Sequence, residues 1–199
     1  MRVFMAGATG VIGVRLVPLL VAAGHEVVGM TRSPEKLERL GELGAEPVLC
    51  DVFDAAALAA AVAEAAPDLV MHQLTDLPDH VDEIPAFRER NNRMRTDGTH
   101  NLIAAARTAG VSRLIAQSIS WSPPGGGEAV EEHERSVLDA GGVVLRYGQL
   151  YGPGTYFEDE VPDPPRVQVD EAARRTAGLL DAPGPSVVVI TDAEVVSEA

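Results

Sequence analysis

Three glycines near the amino terminus have a spacing that suits the binding of a dinucleotide. A turn this tight needs residues without a Cβ, and so does the close approach of backbone N–H groups to a pyrophosphate. A helix that begins just beyond the turn adds its positive dipole end. A glycine-rich turn that only joins a strand to a helix is the alternative, and the context favours binding. The residues concerned are Gly7, Ala8, Thr9, Gly10, Val11, Ile12 and Gly13.

The residues after the second predicted strand bear on which dinucleotide is bound. An NAD-preferring site usually has an acid there for the ribose hydroxyls, whereas this chain has Arg32, with Lys36 one turn further on. Two cations can hold a 2′-phosphate that a carboxylate would repel, so the pattern favours NADP(H) over NAD(H). An exposed basic pair on a loop is the alternative. An adenine edge could rest near Asp51 and Val52, although Asp51 could equally cap a helix.

Strand and helix signals alternate along the chain and predict the scaffold that holds these residues. Continuously apolar rather than alternating strands are typical of a parallel sheet covered on both faces. We therefore predict a doubly wound, Rossmann-like α/β fold. Strands are predicted over residues 2–7, 26–31, 46–50, 68–72, 113–119, 143–147 and 186–191. Helices are predicted over 11–23, 54–65, 88–109, 128–140 and 171–180, with Ser33 and Asp54 as helix caps and a loop over 74–85.

Length and composition limit the class of protein. The chain has 199 residues, a formal charge of −14 and one cysteine, Cys50. We expect a single domain over 1–199, with 152–199 as a short substrate-covering segment. An acidic chain is a poor match for nucleic acid, which is bound by clustered Lys and Arg. The apolar runs are too short for a signal peptide or a membrane span, which predicts a cytoplasmic protein.

Several segments together resemble the extended or atypical short-chain dehydrogenase/reductases, the superfamily that holds the NAD-dependent epimerases and dehydratases. The glycine turn matches the family's fingerprint, and residues 97–111 resemble its GT-NLL-AA---GV helix. Residues 113–118 look like the strand that ends in active-site serines, 145–154 resemble its LR----YGPG segment, and 167–173 its late V-V-D-A element. The resemblance covers most of the chain and implies nicotinamide-dependent oxidoreductase or epimerase-like chemistry on a small organic molecule.

Some features depart from the family pattern. A Tyr-x-x-x-Lys pair carries proton transfer in that family, yet no tyrosine here is followed by Lys four residues later, and the only lysine is Lys36. Arg95 stands where the family often places an asparagine beside the active-site strand. The segment after Gly154 is shorter than the family's substrate lobe. The resemblance also implies a homodimer formed through the helices predicted over 88–109 and 128–140.

Ligands of doubly wound folds lie beyond the carboxyl ends of the strands, and several reactive side chains are predicted there. Ser118 or Ser120 could hydrogen-bond a substrate carbonyl, or could cap a strand end. His133 could replace the missing tyrosine as an acid or base, although a histidine in a charged run is more often exposed. His72 ends the fourth strand, where it could face the crevice as a cofactor-binding residue or lie in the interior. Tyr151 could be a general acid or a structural part of its loop.

Three functions remain open on these residues. The first is an NADP(H)-dependent oxidoreductase or epimerase-like enzyme with an altered acid–base set. The loss of the Tyr and Lys pair instead suits a non-redox lyase, isomerase or cyclase, which would stay active without nicotinamide. A non-catalytic NADP(H) sensor would bind a partner protein in a cofactor-dependent way. Acids at positions 79, 82 and 83 have no partner ligands spaced for a metal, so none is expected.

Overall fold

An eight-stranded sheet forms the centre of the fold, and seven of its strands are parallel. The computed structural model describes residues 1–125, 127–193 and 196–198. Within these residues the strands are β1 (Arg2–Ala6), β2 (Glu26–Thr31), β3 (Glu46–Leu49), β4 (Leu69–His72), β5 (Leu114–Ile119), β6 (Val143–Tyr147), β7 (Gln149–Tyr151), β8 (Arg166–Gln168), β9 (Ser186–Ile190) and β10 (Val196–Glu198). The main sheet has the order β10-β9-β6-β5-β4-β1-β2-β3, with β10 antiparallel to β9. β7 and β8 form a separate parallel pair.

Helices cover both faces of the sheet, which confirms the predicted doubly wound α/β fold. They are α1 (Gly13–Ala22), α2 (Leu37–Glu42), α3 (Ala55–Ala65), α4 (Ile84–Arg93), α5 (Thr99–Thr108), α6 (Gly127–Asp139) and α7 (Val169–Ala177). One core cluster joins α1 and α7 to the sheet, and a second joins α3, α5 and α6 to its other face. Successive residues of β1 alternate between the two cores, Val3 in the first and Phe4 in the second. No helix among the described residues is long and apolar enough to cross a membrane.

The helix predicted over 88–109 is helical over residues 88–108, but it differs in its start and contains a π-helical turn. It begins earlier, at Ile84, and a π-helical segment over Met94–Gly98 separates α4 from α5. Pro85 marked a loop in the sequence, but proline suits the first turn of a helix, where its missing N–H costs nothing. The predicted loop over 74–85 therefore ends sooner than expected. π-Helical turns occur frequently at functional sites, and Thr99, which directly follows this one, contacts His72 at the end of β4.

The two predicted helix caps have different outcomes. Asp54 is confirmed, because its Oδ1 accepts a hydrogen bond of 3.0 Å from the N–H of Ala57. Ser33 lies at the predicted N-cap position before Pro34, but its side chain makes no capping hydrogen bond. A 3₁₀ turn over Pro34–Lys36 separates Ser33 from α2, so its hydroxyl does not meet the first free N–H groups of that helix.

The strand register brings the predicted functional residues to one edge of the sheet. Ala6 at the end of β1 pairs with Met30 on β2 and with His72 on β4. The carboxyl ends of these three parallel strands are therefore level with each other. The segments that follow them form one surface, where ligands of this type of sheet bind.

Candidate functional site

The glycine turn after β1 is pressed against the end of β4. Gly7 has φ +92°, and a Cβ at this position would lie 2.5 Å from the carbonyl carbon of Gln73. A Cβ on Gly13 would lie 2.4 Å from the carbonyl oxygen of Gly7. Gly10 donates to that same oxygen at 3.1 Å. Only glycine fits at positions 7 and 13, and the result is a narrow turn that leads directly into α1.

The amino-terminal end of α1 suits an anionic ligand. Its N-cap residue, Ile12, makes no side-chain capping hydrogen bond, and the first turn contains no acidic residue. The N–H groups of Val14 and Leu16 already donate to the carbonyl oxygens of Gly10 and Ile12. The donors that a ligand could use are therefore the N–H groups that precede Val14, at the positive end of the helix dipole. Gly10 and Val11 are exposed beside them. The turn and the helix start therefore match the donor set that a pyrophosphate needs.

Two arginines and a buried acid form a cluster beyond the ends of β2 and β4. Arg32 donates from Nη2 to Oδ1 of Asp76 at 3.1 Å, and Arg90 on α4 donates to the same oxygen at 3.0 Å. The backbone N–H of Asp76 donates to Oδ1 of Asn91, at 3.0 Å. The Asp76 side chain is 7% exposed, whereas the arginine side chains are 47% and 53% exposed. The carboxylate therefore holds two guanidinium groups side by side, both open to solvent.

Three further residues were predicted to contact the adenosine half of the cofactor, and they differ in their environments. Lys36 is exposed on the 3₁₀ turn after Arg32. Asp51 is exposed, and its Oδ1 accepts from the N–H of Phe53 at 3.0 Å, so it stabilises a turn and does not cap α3. Val52 is buried, and its carbonyl accepts from Nδ2 of Asn101 at 3.0 Å. These residues remain predictions as cofactor contacts.

A chain of hydrogen bonds connects two buried histidines below the carboxyl ends of β4 and β5. Oγ1 of Thr99 lies 3.1 Å from Nε2 of His72 and 2.7 Å from Nδ1 of His133. The N–H of Leu74 donates to Nδ1 of His72 at 3.1 Å. Nε2 of His133 lies 2.8 Å from the carbonyl oxygen of Gln117, which can only accept. Each histidine is 1% exposed.

These partners determine where the protons are. Since a backbone N–H always donates, His72 accepts at Nδ1 and carries its proton on Nε2, which donates to Thr99. His133 donates from Nε2 and therefore accepts from the Thr99 hydroxyl at Nδ1. Every donor has one acceptor when both rings are neutral. Burial, reinforced by the charge on Arg95, holds the pKa of each histidine below its usual value, most strongly for His72.

His133 and His72 are therefore interior residues, and their ring nitrogens contact protein groups. The exposed position expected for His133 from its charged surroundings is wrong, because α6 turns this residue toward β5. For His72, the structure agrees with the interior alternative. The histidines are brought together, with ring centroids 5.3 Å apart, at the base of the candidate site.

Ser118 belongs to a buried ion-pair network. Its Oγ donates to Oε1 of Glu134 at 2.6 Å, and Glu134 also accepts two hydrogen bonds from Arg146, at 2.9 and 2.6 Å. Burial alone would raise the pKa of Glu134, but the hydrogen bonds from Arg146 and Ser118 outweigh it and hold this pKa below the ordinary value. Glu134 is therefore a carboxylate acceptor at neutral pH.

Ser120 lies in a groove of about 430 Å³ beyond the ends of β5 and β6. Its Oγ donates to the carbonyl oxygen of Tyr147 at 3.0 Å, and its side chain is half-buried. A groove of this size could hold a small organic molecule. Its walls include Ser120, Trp121, Val130, Glu134, Arg146 and Pro165.

The two tyrosines near this edge have different environments. Tyr151 is half-buried, and its hydroxyl donates to Asp192 at 3.3 Å. Burial and the negative charge of Asp192 raise its pKa, so it holds its proton at neutral pH. Tyr147 is buried and shares a 2.6 Å hydrogen bond with Thr176, and burial raises its pKa to about 12. Tyr151 remains a candidate proton donor, whereas Tyr147 is part of the core.

Sequence reasoning did not identify the acids that organise these clusters. Asp76 was an unremarked residue of a polar loop, and Glu134 was one of several acids in a charged run. A helical signal for Glu134 was present, because Val130, His133 and Val137 lie on the same face of a helix. No comparable sequence pattern marks Asp76.

Comparisons with known proteins agree with this geometry. A family model described as NAD(P)H-binding matches residues 7–139. The chain is 41% identical to a 3-diazoavenalumate denitrifying reductase from a Streptomyces species, over 79% of this chain and 59% of that protein. It is 30% identical to a 3-beta-hydroxysteroid dehydrogenase from Mycolicibacterium neoaurum, over 75% of this chain and 39% of that protein. The chain thus spans about 59% and 39% of the lengths of these two relatives.

Solved structures share the fold. The chain superposes with a TM-score of 0.76 on a UDP-glucose 4-epimerase from Thermotoga maritima solved with UDP-glucose, covering 99% of this chain and 79% of that one at 18% identity. It superposes with a TM-score of 0.74 on the Bordetella bronchiseptica enzyme WbmH solved with NAD⁺, covering 98% and 77% at 18% identity. At these identities the likeness concerns the fold alone.

Proposed function

The chain belongs to the NAD(P)H-binding family within the extended or atypical short-chain dehydrogenase/reductases, and on this premise we propose that it is an NADP(H)-dependent reductase of a small organic molecule. The observation that carries the cofactor preference is the pair of guanidinium groups on Asp76. Arg32 follows β2, where the 2′ position of the adenosine ribose is recognised in this type of fold, and Arg90 lies beside it. The glycine turn and the start of α1 provide the adjoining pyrophosphate site.

The two arginines support recognition of a 2′-phosphate because Asp76 uses only some of their N–H donors. A guanidinium has five N–H donors, and Asp76 takes one from Arg32 and two from Arg90. The buried carboxylate fixes the positions of the arginines, while their exposed sides face solvent. A phosphate held by two such groups gains charge-assisted hydrogen bonds, which are about twice as strong as neutral ones. A ribose hydroxyl would gain much less.

Bound NADPH would supply a hydride to an electrophilic substrate. On the protein's side, the groove beyond β5 and β6 would hold that substrate, with Ser120 on its wall and Tyr151 as a candidate proton donor at the same edge. The Streptomyces relative is named as a denitrifying reductase of a diazo compound. An electrophile that accepts a hydride and loses dinitrogen needs no proton from the protein. Such a substrate would suit a chain without a Tyr-x-x-x-Lys pair.

The proposed preference for NADP(H) predicts that the Arg32→Ala variant loses affinity for NADPH but not for NADH. We expect cofactor-stripped protein to bind NADPH and NADP⁺ more tightly than NADH and NAD⁺ in parallel calorimetric titrations. Arg32→Ala should weaken NADPH binding about ten- to hundredfold, because a hydrogen bond to a charged group contributes about 1.5–3 kcal/mol. Its affinity for NADH should change little. Adding Arg90→Ala should deepen the loss for NADPH alone.

A surface arginine provides the control. Arg39 is exposed on α2 and pairs with Glu42 at 2.9 Å, so Arg39→Ala changes the net charge equally without touching the cluster. NADPH affinity should be unchanged in that variant. Equal affinity of the wild-type protein for NADH and NADPH would contradict the 2′-phosphate assignment. Failure to bind any of the four nucleotides would contradict the proposed function itself.

A further inference from the structure

Two segments beyond the ligand-binding edge of the sheet are joined by one hydrogen bond. The first, called the β4 arm, comprises residues 74–83 between β4 and α4, and the second, called the β7 arm, comprises residues 152–165 between β7 and β8. The hydroxyl of Tyr156 on the β7 arm donates to the carbonyl oxygen of Pro78 on the β4 arm. Pro78 is buried, although Leu77 and Asp79 on either side of it are exposed. The contact therefore joins parts of the chain that are 78 residues apart.

The two arms come from opposite faces of the sheet. Leu74, at the start of the β4 arm, packs against the core cluster that contains α3, α5 and α6. Leu150 and Val167, which flank the β7 arm, pack in the cluster that contains α1 and α7. Ligands of doubly wound folds bind in the crevice outside the carboxyl ends of the strands, between these two layers. A hydrogen bond between the arms therefore spans that crevice.

Both arms are attached at their bases to the glycine turn or to the helix that follows it. Gln73, directly before the β4 arm, is the residue whose carbonyl carbon would lie 2.5 Å from a Cβ on Gly7. On the other side, Arg15 of α1 donates to the carbonyl oxygen of Pro153 in the β7 arm, and to Oδ1 of Asp170 at 2.6 Å. The glycine turn, the two arms and the bond between them thus form a closed ring of contacts.

The part of the β7 arm that carries Tyr156 is held in shape by its own hydrogen bonds. The N–H of Gly152 donates to the carbonyl oxygen of Phe157 at 2.9 Å, and Oγ1 of Thr155 donates to the carbonyl oxygen of Gly152 at 2.8 Å. The N–H of Phe157 donates to the Thr155 hydroxyl at 3.1 Å. Tyr156 is therefore held at a fixed place in a small closed loop.

The hydrogen bond between the arms is the part of the ring that opens most easily. It is a single bond between neutral groups, which contributes little net free energy in water. Burial and the charges of Asp79 and Glu83 raise the pKa of Tyr156, so its hydroxyl keeps its proton and donates at neutral pH. Both arms are acidic and repel each other. The acids concerned are Asp79, Asp82 and Glu83 on the β4 arm and Glu158, Asp159 and Glu160 on the β7 arm.

We propose that Tyr156 is a latch on the nucleotide crevice, whose bond to Pro78 breaks when a dinucleotide enters or leaves and forms again once it is in place. The inference rests on the proposed function, because it takes the glycine turn as the nucleotide site. A closed crevice keeps water away from the bound nucleotide and slows its exchange. Since the same bond is present before and after binding, the latch changes the rates of binding and release and leaves the affinity as it is.

The rates of nucleotide exchange test the latch. Tyr156→Phe removes the hydroxyl and keeps the ring. Stopped-flow mixing with NADPH, followed by nucleotide fluorescence, measures association, and a chase with excess NADP⁺ measures dissociation. We expect both rate constants to rise about three- to tenfold, the effect of losing one neutral hydrogen bond, while the calorimetric Kd stays within about twofold of the wild type. NADH should be accelerated equally, because the latch does not contact the 2′-phosphate.

A serine at the opposite edge of the sheet provides the control. The hydroxyl of Ser186 donates to the carbonyl oxygen of Pro183 at 2.6 Å, where β9 begins. Ser186→Ala therefore removes a bond of the same kind, from a hydroxyl to a proline carbonyl, far from the crevice. Both rate constants of this variant should equal those of the wild type.

The possible results separate the latch from the proposed function. Unchanged rate constants in Tyr156→Phe would overturn the latch and leave the nucleotide site standing. A weaker Kd with an unchanged association rate would also overturn it, because Tyr156 would then contact the nucleotide directly. Failure of the wild-type protein to bind either NADPH or NADH would overturn the proposed function, and the latch with it.

Discussion

Gly7→Ala is expected to lower the free energy of unfolding by about 2–5 kcal/mol and to abolish nucleotide binding. Two costs combine in this estimate. An L-residue at φ +92° costs about 1–2 kcal/mol, and overpacking in a buried position costs about another 1–3 kcal/mol. The new methyl group would lie 2.5 Å from the carbonyl carbon of Gln73, so the backbone must move. That movement displaces the turn on which the pyrophosphate would rest.

A substitution at Gly24 distinguishes the backbone contribution from the packing contribution. Gly24 has φ +85°, close to the value at Gly7, but a Cβ there would meet no atom within 4 Å. Gly24→Ala should therefore lose only the backbone term of about 1–2 kcal/mol and should keep full NADPH affinity. Urea unfolding of the two variants and of the wild type measures the difference. Equal destabilisation by the two alanines would show that contact with the Gln73 backbone contributes nothing at Gly7.

Local sequence patterns predict the sheet and the turn because each depends on residues that are neighbours in the chain. The run of apolar residues in β1, followed by glycines and an apolar helix, is sufficient to predict a strand, a turn and a helix in that order. Arg32 was identifiable for the same reason, since it directly follows β2. Parallel register then brings the ends of β1, β2 and β4 level without any further information.

Partners that are distant in sequence could not be predicted in this way. Asp76 is 44 residues from Arg32 and 14 from Arg90, and a chain with 30 acidic and 16 basic residues offers many equally plausible pairs. The three-residue strands β7 and β8 were also missed, because they are too short to show a hydrophobic period. The burial of His133, by contrast, could have been predicted, because the spacing of Val130, His133 and Val137 places all three on one face of a helix.

Acidification from pH 6.5 to 5 is expected to reduce the free energy of unfolding by as much as about 2.7 kcal/mol for each pH unit. Both histidines are neutral in the folded protein, since burial lowers the pKa of His72 and of His133 below 6.5. In the unfolded chain they bind protons below pH 6.5, so the unfolded state then holds up to two more protons than the folded state. This contribution to stability is complete above pH 6.5 and is lost as the pH falls toward the lowered values.

Removing one histidine should halve that slope. His133→Gln leaves a single neutral buried histidine, so the slope between pH 6.5 and 5 should decrease by about 1.4 kcal/mol per pH unit, whatever the variant's stability at pH 8. The exposed His80 provides the control, because His80→Gln removes a histidine without touching Thr99 or its partners. Urea unfolding at pH 8.0, 6.5, 6.0, 5.5 and 5.0 measures all three slopes. Protonation of His72 would set a second N–H donor against the N–H of Leu74, and protonation of His133 would set one against the hydroxyl of Thr99. An unchanged slope in His133→Gln would mean that the hydrogen-bonded chain does not keep this ring neutral.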